Sequence, residues 1–176
     1  MSRKKIALIS TGGTIEKTYD ELQGILENRV SVLDVMLESL QLRGVSIDRI
    51  RLMNMDSLDM TDAEHARIVE EVARQEQTHD GIVITHGTDR LAKSGDCIHA
   101  HFAPRGGPRV PVVLIGAMRP YVMRTTDAMQ NLTEALLAVQ ILPPGVYVVM
   151  HNQVLRFPGV EKDREQGTFV KRGEQA

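Results

Sequence analysis

Two clusters of glycine and threonine in this 176-residue chain have the residue types to hold and polarise a small polar molecule. Thr11-Gly12-Gly13-Thr14 flanks a glycine pair with hydroxyls. Glycines let the backbone turn sharply and leave its amide N–H groups uncovered. Amides exposed in this way hold a carboxylate or stabilise an oxyanion; the plainer alternative is a tight turn between strand and helix. Thr85-His86-Gly87-Thr88-Asp89 sets a hydroxyl beside a carboxylate, a pair suited to positioning a nucleophile or water, or to holding an ammonium group. Thr88 or Asp89 would equally suit a helix N-cap, and one side chain can do both. Asp56-Ser57-Leu58-Asp59-Met60 and Gly116-Ala117-Met118-Arg119-Pro120 each read as an ordinary loop when taken alone. None of these segments has the spacing of a phosphate-binding loop, G-x-x-x-x-G-K-[ST], or of the dinucleotide fingerprint G-x-G-x-x-G.

The histidines carry a weaker signal. His99 and His101 are two apart on a predicted helix and face different directions. His65 and His79 fall on or just beyond a helix, while His86 follows a strand and His151 ends one, which would put either near the site. No Cys/His or carboxylate spacing suggests zinc, so no metal is expected. The nine methionines read as core filler.

These residues need a scaffold, and the apolar pattern supplies one. Ile6–Ile9, Val45–Met53, Gly81–Ile84, Val110–Ile115 and Val146–Met150 read as strands. Between them, Ser31 to Arg43, a helix opening at the capping box Thr61-Asp62-Ala63-Glu64, Leu91 to Phe102, and Thr126 to Ile141 repeat with helical period. Gly95 sits inside the third of these at a cost of about 1 kcal/mol relative to alanine. Strands alternating with helices predict a doubly wound, mostly parallel α/β sheet in one domain. Ligands in such folds bind beyond the carboxyl ends of the strands. That rule brings the loops after Ile9, Met53, Ile84 and Ile115 to one edge, and these are the four segments singled out above. The organisation expected is a catalytic domain over 1–160 and a polar extension over 161–176 that frays at its end.

Composition narrows the function. With 21 Lys+Arg against 23 Asp+Glu the net charge is −2, which gives no electrostatic reason to bind nucleic acid or an anionic membrane. No apolar run reaches the roughly 18 residues of a membrane span. Cys97, the single cysteine, cannot close an internal disulfide, and the apolar run after Lys5 is too short for a signal peptide. A cytoplasmic protein is expected.

Thr11-Gly12-Gly13-Thr14-Ile15 together with Gly81-Ile82-Val83-Ile84-Thr85-His86-Gly87-Thr88-Asp89 resembles the paired signatures of the L-asparaginase/glutaminase family. Gly116-Ala117-Met118-Arg119-Pro120 is similar to a third family segment, and Val154-Leu155 with Lys162 to a fourth. The resemblance implies cofactor-free hydrolysis of asparagine to aspartate and ammonia through an acyl-enzyme. It makes Thr14 the nucleophile, Thr88, Asp89 and Lys162 its catalytic partners, and Tyr19 an assisting group on a mobile loop. Gly13, Ser57, Gly87, Thr88, Asp89 and Ala117 are implied in substrate binding, Ser57 toward the α-carboxylate. A threonine hydroxyl needs a base or a polarising neighbour; Lys162 would serve if a dry site favoured its neutral form. Amides around Gly13 and Ala117, with the Thr88 hydroxyl, would form an oxyanion hole.

The chain departs from the family pattern at Leu58, usually glutamine, at Arg90, at Glu16, where a small residue is usual, and at Asp127-Ala128. Typical members also carry a C-terminal domain that completes a neighbouring subunit's site. A short, single-domain asparaginase of modest substrate affinity is expected, as a homo-oligomer whose partner covers the site edge. The competing expectations are a broader amidohydrolase, a component resembling the tRNA-dependent amidotransferase subunit, and a non-catalytic binding or interaction domain.

Overall fold

A computed structural model describes residues 3–29 and 31–173. In chain order the elements are β1 (Lys4–Gly12), β2 (Thr18–Asp20), β3 (Ile25–Glu27), α1 (Leu33–Glu38), β4 (Val45–Met55), α2 (Asp62–Gln75) and β5 (Gly81–Thr85). They continue with α3 (Leu91–Phe102), β6 (Pro111–Ile115), α4 (Ala128–Ile141), β7 (Gly145–Met150), β8 (Gln153–Arg156), β9 (Val160–Asp163) and β10 (Thr168–Lys171). The main sheet has six strands in the order β4-β1-β5-β6-β7-β8. All its pairs are parallel except β7 with β8. This is the mostly parallel α/β sheet that the sequence pattern predicts.

β5, β6 and β7 are buried at every position, which is why their sequences are continuous apolar runs rather than alternating ones. The capping box of α2 forms as read: the Ala63 amide donates to Thr61 Oγ1, and the Thr61 amide donates to Glu64 Oε2 at 2.7 Å.

Three expectations change. The first helix, expected over Ser31–Arg43, ends at Glu38. Ser39 turns its hydroxyl back to the Met36 carbonyl at 2.7 Å, and the Leu40 amide closes a tighter turn onto Leu37, so side-chain and short-range bonds outcompete the next helical turn. A sixth strand, β8, follows a two-residue turn with no glycine. His151 (φ 53°) and Asn152 (φ 62°) both adopt the left-handed conformation that such a hairpin requires.

The third change concerns the polar tail. Within residues 161–173, β9 and β10 form an antiparallel hairpin, and the boundary expected between 160 and 161 falls inside β9; the fraying expected at the end concerns residues outside those described. Val160 and Phe169 are each 2% exposed, so one face of the hairpin is anchored in the core. Phe157 precedes it and explains Gly95: a Cβ at Gly95 would lie 2.1 Å from the Phe157 ring. The glycine that weakens α3 makes the socket into which the β8–β9 connection docks.

Candidate active site

At the end of β1 the chain turns through Gly12 (φ 95°) and Gly13 (φ 79°), a conformation that side chains strongly disfavour. Space is as restrictive as angle, since a Cβ on Gly13 would fall 2.3 Å from the Gly87 nitrogen. Thr14 and Thr88 therefore flank the point where the first and third loops touch. Thr14 is half-buried and opens a short 3-10 turn. The Gly13 amide itself is committed to the Met55 carbonyl at 2.9 Å, so it is not the anion donor expected of it. Among the described residues the amides of Thr14, Thr88 and Ala117 find no protein acceptor.

Gly87 is clasped from the other side as well, where a Cβ would meet Ser57 Oγ at 2.4 Å. Ser57 is completely buried; its Oγ accepts the Arg90 amide at 3.3 Å, which leaves its own proton uncommitted there. The expected helix cap does not form. α3 begins after Arg90 with no side-chain cap, and Thr88 and Asp89 turn elsewhere. Lys162, on β9, donates to Thr88 Oγ1 at 2.8 Å and to Asp89 Oδ1 at 2.9 Å, with both ends of the ion pair mostly shielded. Arg164 reaches the same Asp89 oxygen at 3.3 Å from an exposed position.

The loop after β6 is built on Asp127. Its carboxylate accepts the Met118 and Arg119 amides at 3.0–3.1 Å, His151 Nε2 at 2.8 Å and Asn131 Nδ2 at 2.9 Å. Burial opposes its ionisation, but these donors outweigh burial and hold the carboxyl below its usual range. His151 also meets Thr168 of β10 at 3.0 Å, so one imidazole joins the Ala117 loop to the hairpin that carries Lys162. Sequence reasoning missed Asp127 and His151 as organisers. Their signal was only a carboxylate at a helix start and a histidine at a strand end.

Tyr19 stands 60% exposed on β2, with its hydroxyl about 4.0 Å from where a Gly24 Cβ would lie and no hydrogen bond to Thr14 among the described residues. Lys17 is nearer the site: its ammonium is 2.7 Å from Asp56, whose other oxygen accepts the Leu58 amide at the turn bearing Ser57. Lys17 and that amide hold the Asp56 carboxyl below its usual range. Leu58 is exposed.

Glu16 lies behind this site. It is 1% exposed and borders a cavity of ≈ 460 Å³ lined by Ser10, Ser31, Asn54, Arg29 and Arg51. The Thr85 hydroxyl donates to it at 3.3 Å. Burial pushes its carboxyl up to about 7, against the pull of Arg49 and the Thr85 and Ser31 hydroxyls. Among the described residues, no helix is long and apolar enough to cross a membrane.

Comparison with known proteins agrees with this fold. Residues 5–168 match the family model described as asparaginase, N-terminal. An L-asparaginase from Thermococcus kodakarensis is 32% identical over 169 residues, covering 93% of this chain and 49% of the relative. A glutamyl-tRNA(Gln) amidotransferase subunit from Aeropyrum pernix is 33% identical over 156 residues, covering 86% of this chain and 36% of the relative. The solved thermostable L-asparaginase from T. kodakarensis superposes with a TM-score of 0.84 at 29% identity, over 97% of this chain and 52% of that one. The chain thus spans about half the length, or less, of these relatives. With the family model covering nearly all of it, the chain belongs to the asparaginase family and corresponds to that family's N-terminal domain.

Proposed function

We propose that this chain hydrolyses the side-chain amide of L-asparagine to L-aspartate and ammonia. The observation that carries the reading is the Lys162–Thr88–Asp89 cluster, one residue from the contact between Gly87 and Gly13, the residue before Thr14. Thr14 Oγ attacks the amide carbon, and the carbonyl electrons move onto oxygen. The uncommitted amides of Thr14, Thr88 and Ala117 are the donors available to that oxyanion, each worth about 3–4 kcal/mol in comparable sites. Collapse of the tetrahedral intermediate expels ammonia: Lys162, having passed a proton to Asp89 within their ion pair, takes the Thr14 proton through Thr88 and hands it to the leaving nitrogen, after which Asp89 returns its proton to Lys162. Water then attacks the ester and returns the Thr14 hydroxyl. Tyr19 takes part only when the β2–β3 hairpin swings toward the site.

Substrate recognition follows the same arrangement. Ser57 retains one donor for an α-carboxylate, with the Lys17 ammonium nearby, and Asp89 Oδ2 remains for an ammonium group. Glutamine adds one methylene, a difference worth only about 1–3 kcal/mol to an apolar pocket, so some glutaminase activity accompanies the main one. The protein acts in the cytoplasm as a homo-oligomer, without nucleic acid or membrane as a partner.

Ammonia release from L-asparagine, L-glutamine and D-asparagine, measured beside Thr14→Ala, tests the proposal. Turnover of L-asparagine that disappears in the variant is expected. Turnover that survives would remove Thr14 from its role. Release by neither protein would overturn hydrolysis and favour a second reading, which the Aeropyrum pernix relative supports, of a domain working only within an amidotransferase.

A further inference from the structure

The third loop is held from beneath by a chain of hydrogen bonds that leaves the site and ends on α2. His86 is completely buried, and its Nδ1 lies 2.8 Å from the Gly87 carbonyl. A carbonyl only accepts, so Nδ1 carries the proton. Burial pushes the His86 imidazole down to about 4, so the ring is neutral and Nε2 is an acceptor. Ser94 Oγ sits 2.7 Å from that Nε2 and must donate to it. The serine has one proton to give, so His65, whose Nδ1 is 2.7 Å from the same oxygen, must donate. The two rings lie nearly parallel, 11° apart, on either side of the hydroxyl. Burial, with the charges of Lys93 and Arg90, pushes the His65 imidazole below its ordinary value too, which favours the neutral ring.

His65 Nε2 is left as a buried acceptor with no partner among the described residues. An unpaired buried polar atom costs stability, and α2 would gain from an apolar residue at this inward position. The cost is offset if the other ring nitrogen is needed. A trans peptide points its C=O and N–H in opposite directions, so a His86 bond to the Gly87 carbonyl fixes the direction of the Thr88 amide. That amide has no protein acceptor among the described residues.

We propose that His65 and Ser94 are positioning residues that lock His86 as its Nδ1–H tautomer, so that the Gly87–Thr88 peptide presents the Thr88 N–H to the reacting carbonyl oxygen. The kinetic part rests on the amide hydrolysis proposed above; the tautomer part does not. In ¹⁵N-labelled full-length chain, long-range ¹H–¹⁵N spectra should show His86 and His65 as neutral rings protonated on Nδ1. In Ser94→Ala the His86 Nε2 resonance should shift as its donor is lost. His65→Phe should lower kcat for L-asparagine about tenfold with KM within about twofold, because a misdirected donor weakens the transition state more than the ground state. His65→Asn, whose amide N–H stands where Nδ1–H was, should restore most of that loss. If His65→Phe does not fold, Ser94→Ala carries the same kinetic test. An Nε2–H tautomer at His86 overturns the proposal, as does unchanged kcat per folded molecule in both variants. Absence of any turnover in the wild-type chain would defeat the hydrolysis reading, while the spectra would still decide the relay.

Discussion

A methyl group added at Gly95 would compete for space with Phe157, and the outcome can be worked from the contact. The new Cβ would lie 2.1–2.5 Å from three ring carbons, whereas carbon atoms pack at about 3.5–4.0 Å. Relief requires the ring to retreat by about 1.5 Å. Alanine gains about 1 kcal/mol in helix propensity, and overpacking of this kind costs about 1–3 kcal/mol. Gly95→Ala should therefore leave the fold destabilised by about 0–2 kcal/mol, a Tm fall of a few degrees. Activity should suffer more. Phe157 is 2% exposed and anchors the connection into β9, so its retreat shifts Lys162 away from Thr88 and Asp89. A misplacement of about 1 Å in a catalytic group costs roughly 10²-fold in rate. Thermal unfolding and ammonia release from L-asparagine, the latter measured well below Tm, separate the two effects. A Gly95→Ala protein as stable as wild type and with the same kcat would refute the argument that Phe157 positions Lys162.

Lys162→Met should lower kcat by about 10²–10⁴ as expected for loss of a proton-transfer group. It should change stability by about 1 kcal/mol or less, because neither end of the mostly shielded ion pair with Asp89 is fully buried; a variant that keeps wild-type turnover would return Lys162 to a structural role. Glu16→Gln tests the buried carboxyl. The folded carboxyl binds its proton up to about 7, against an ordinary value of 4.5, so the folded state holds more protons than the unfolded one between those pH values. Its contribution is intact below 4.5 and is lost as pH rises through 7, in total about 3 kcal/mol. Urea unfolding at pH 5 and pH 8 should show that Glu16→Gln removes this loss and stabilises the protein at pH 8. Equal slopes in both proteins would mean that Glu16 titrates normally.

Four of the five parallel strands were legible because burial on both faces writes itself as uninterrupted runs such as Val112-Val113-Leu114-Ile115, whereas the edge strand β4, mostly half-buried, was legible from its alternation. The convergence of the four loops followed from the parallel sheet. Less was legible where a position depends on what packs against it. Nothing near Gly13 in the sequence announces that its amide is taken by Met55, forty-odd residues away in a neighbouring strand. The turn into β8 uses His151 and Asn152 in place of glycine, so the usual punctuation is missing and the pattern shows no strand there. Tyr19 is assigned by resemblance alone, and a resemblance carries no information about the direction a hairpin side chain takes.

Lys162 shows why the remaining gap is physical rather than a matter of closer reading. Its segment is polar, and by composition it looks like a solvated end. The hairpin is ordered by few residues: Val160 and Phe169 in the core, Phe157 in the socket left by Gly95, and Thr168 on His151. Two of these contacts are made by residues that local pattern scores as faults, a glycine inside a helix and a histidine in a left-handed turn. Each fault is a local cost offset at a distance. The glycine admits Phe157, and the histidine joins Asp127, which holds the Ala117 loop, to the strand beside Lys162. The cation and the backbone donors of the site are therefore fixed relative to one another by the places where local preference is overridden. Positions of that kind are the ones to examine first when a sequence displays catalytic residue types without showing how they meet.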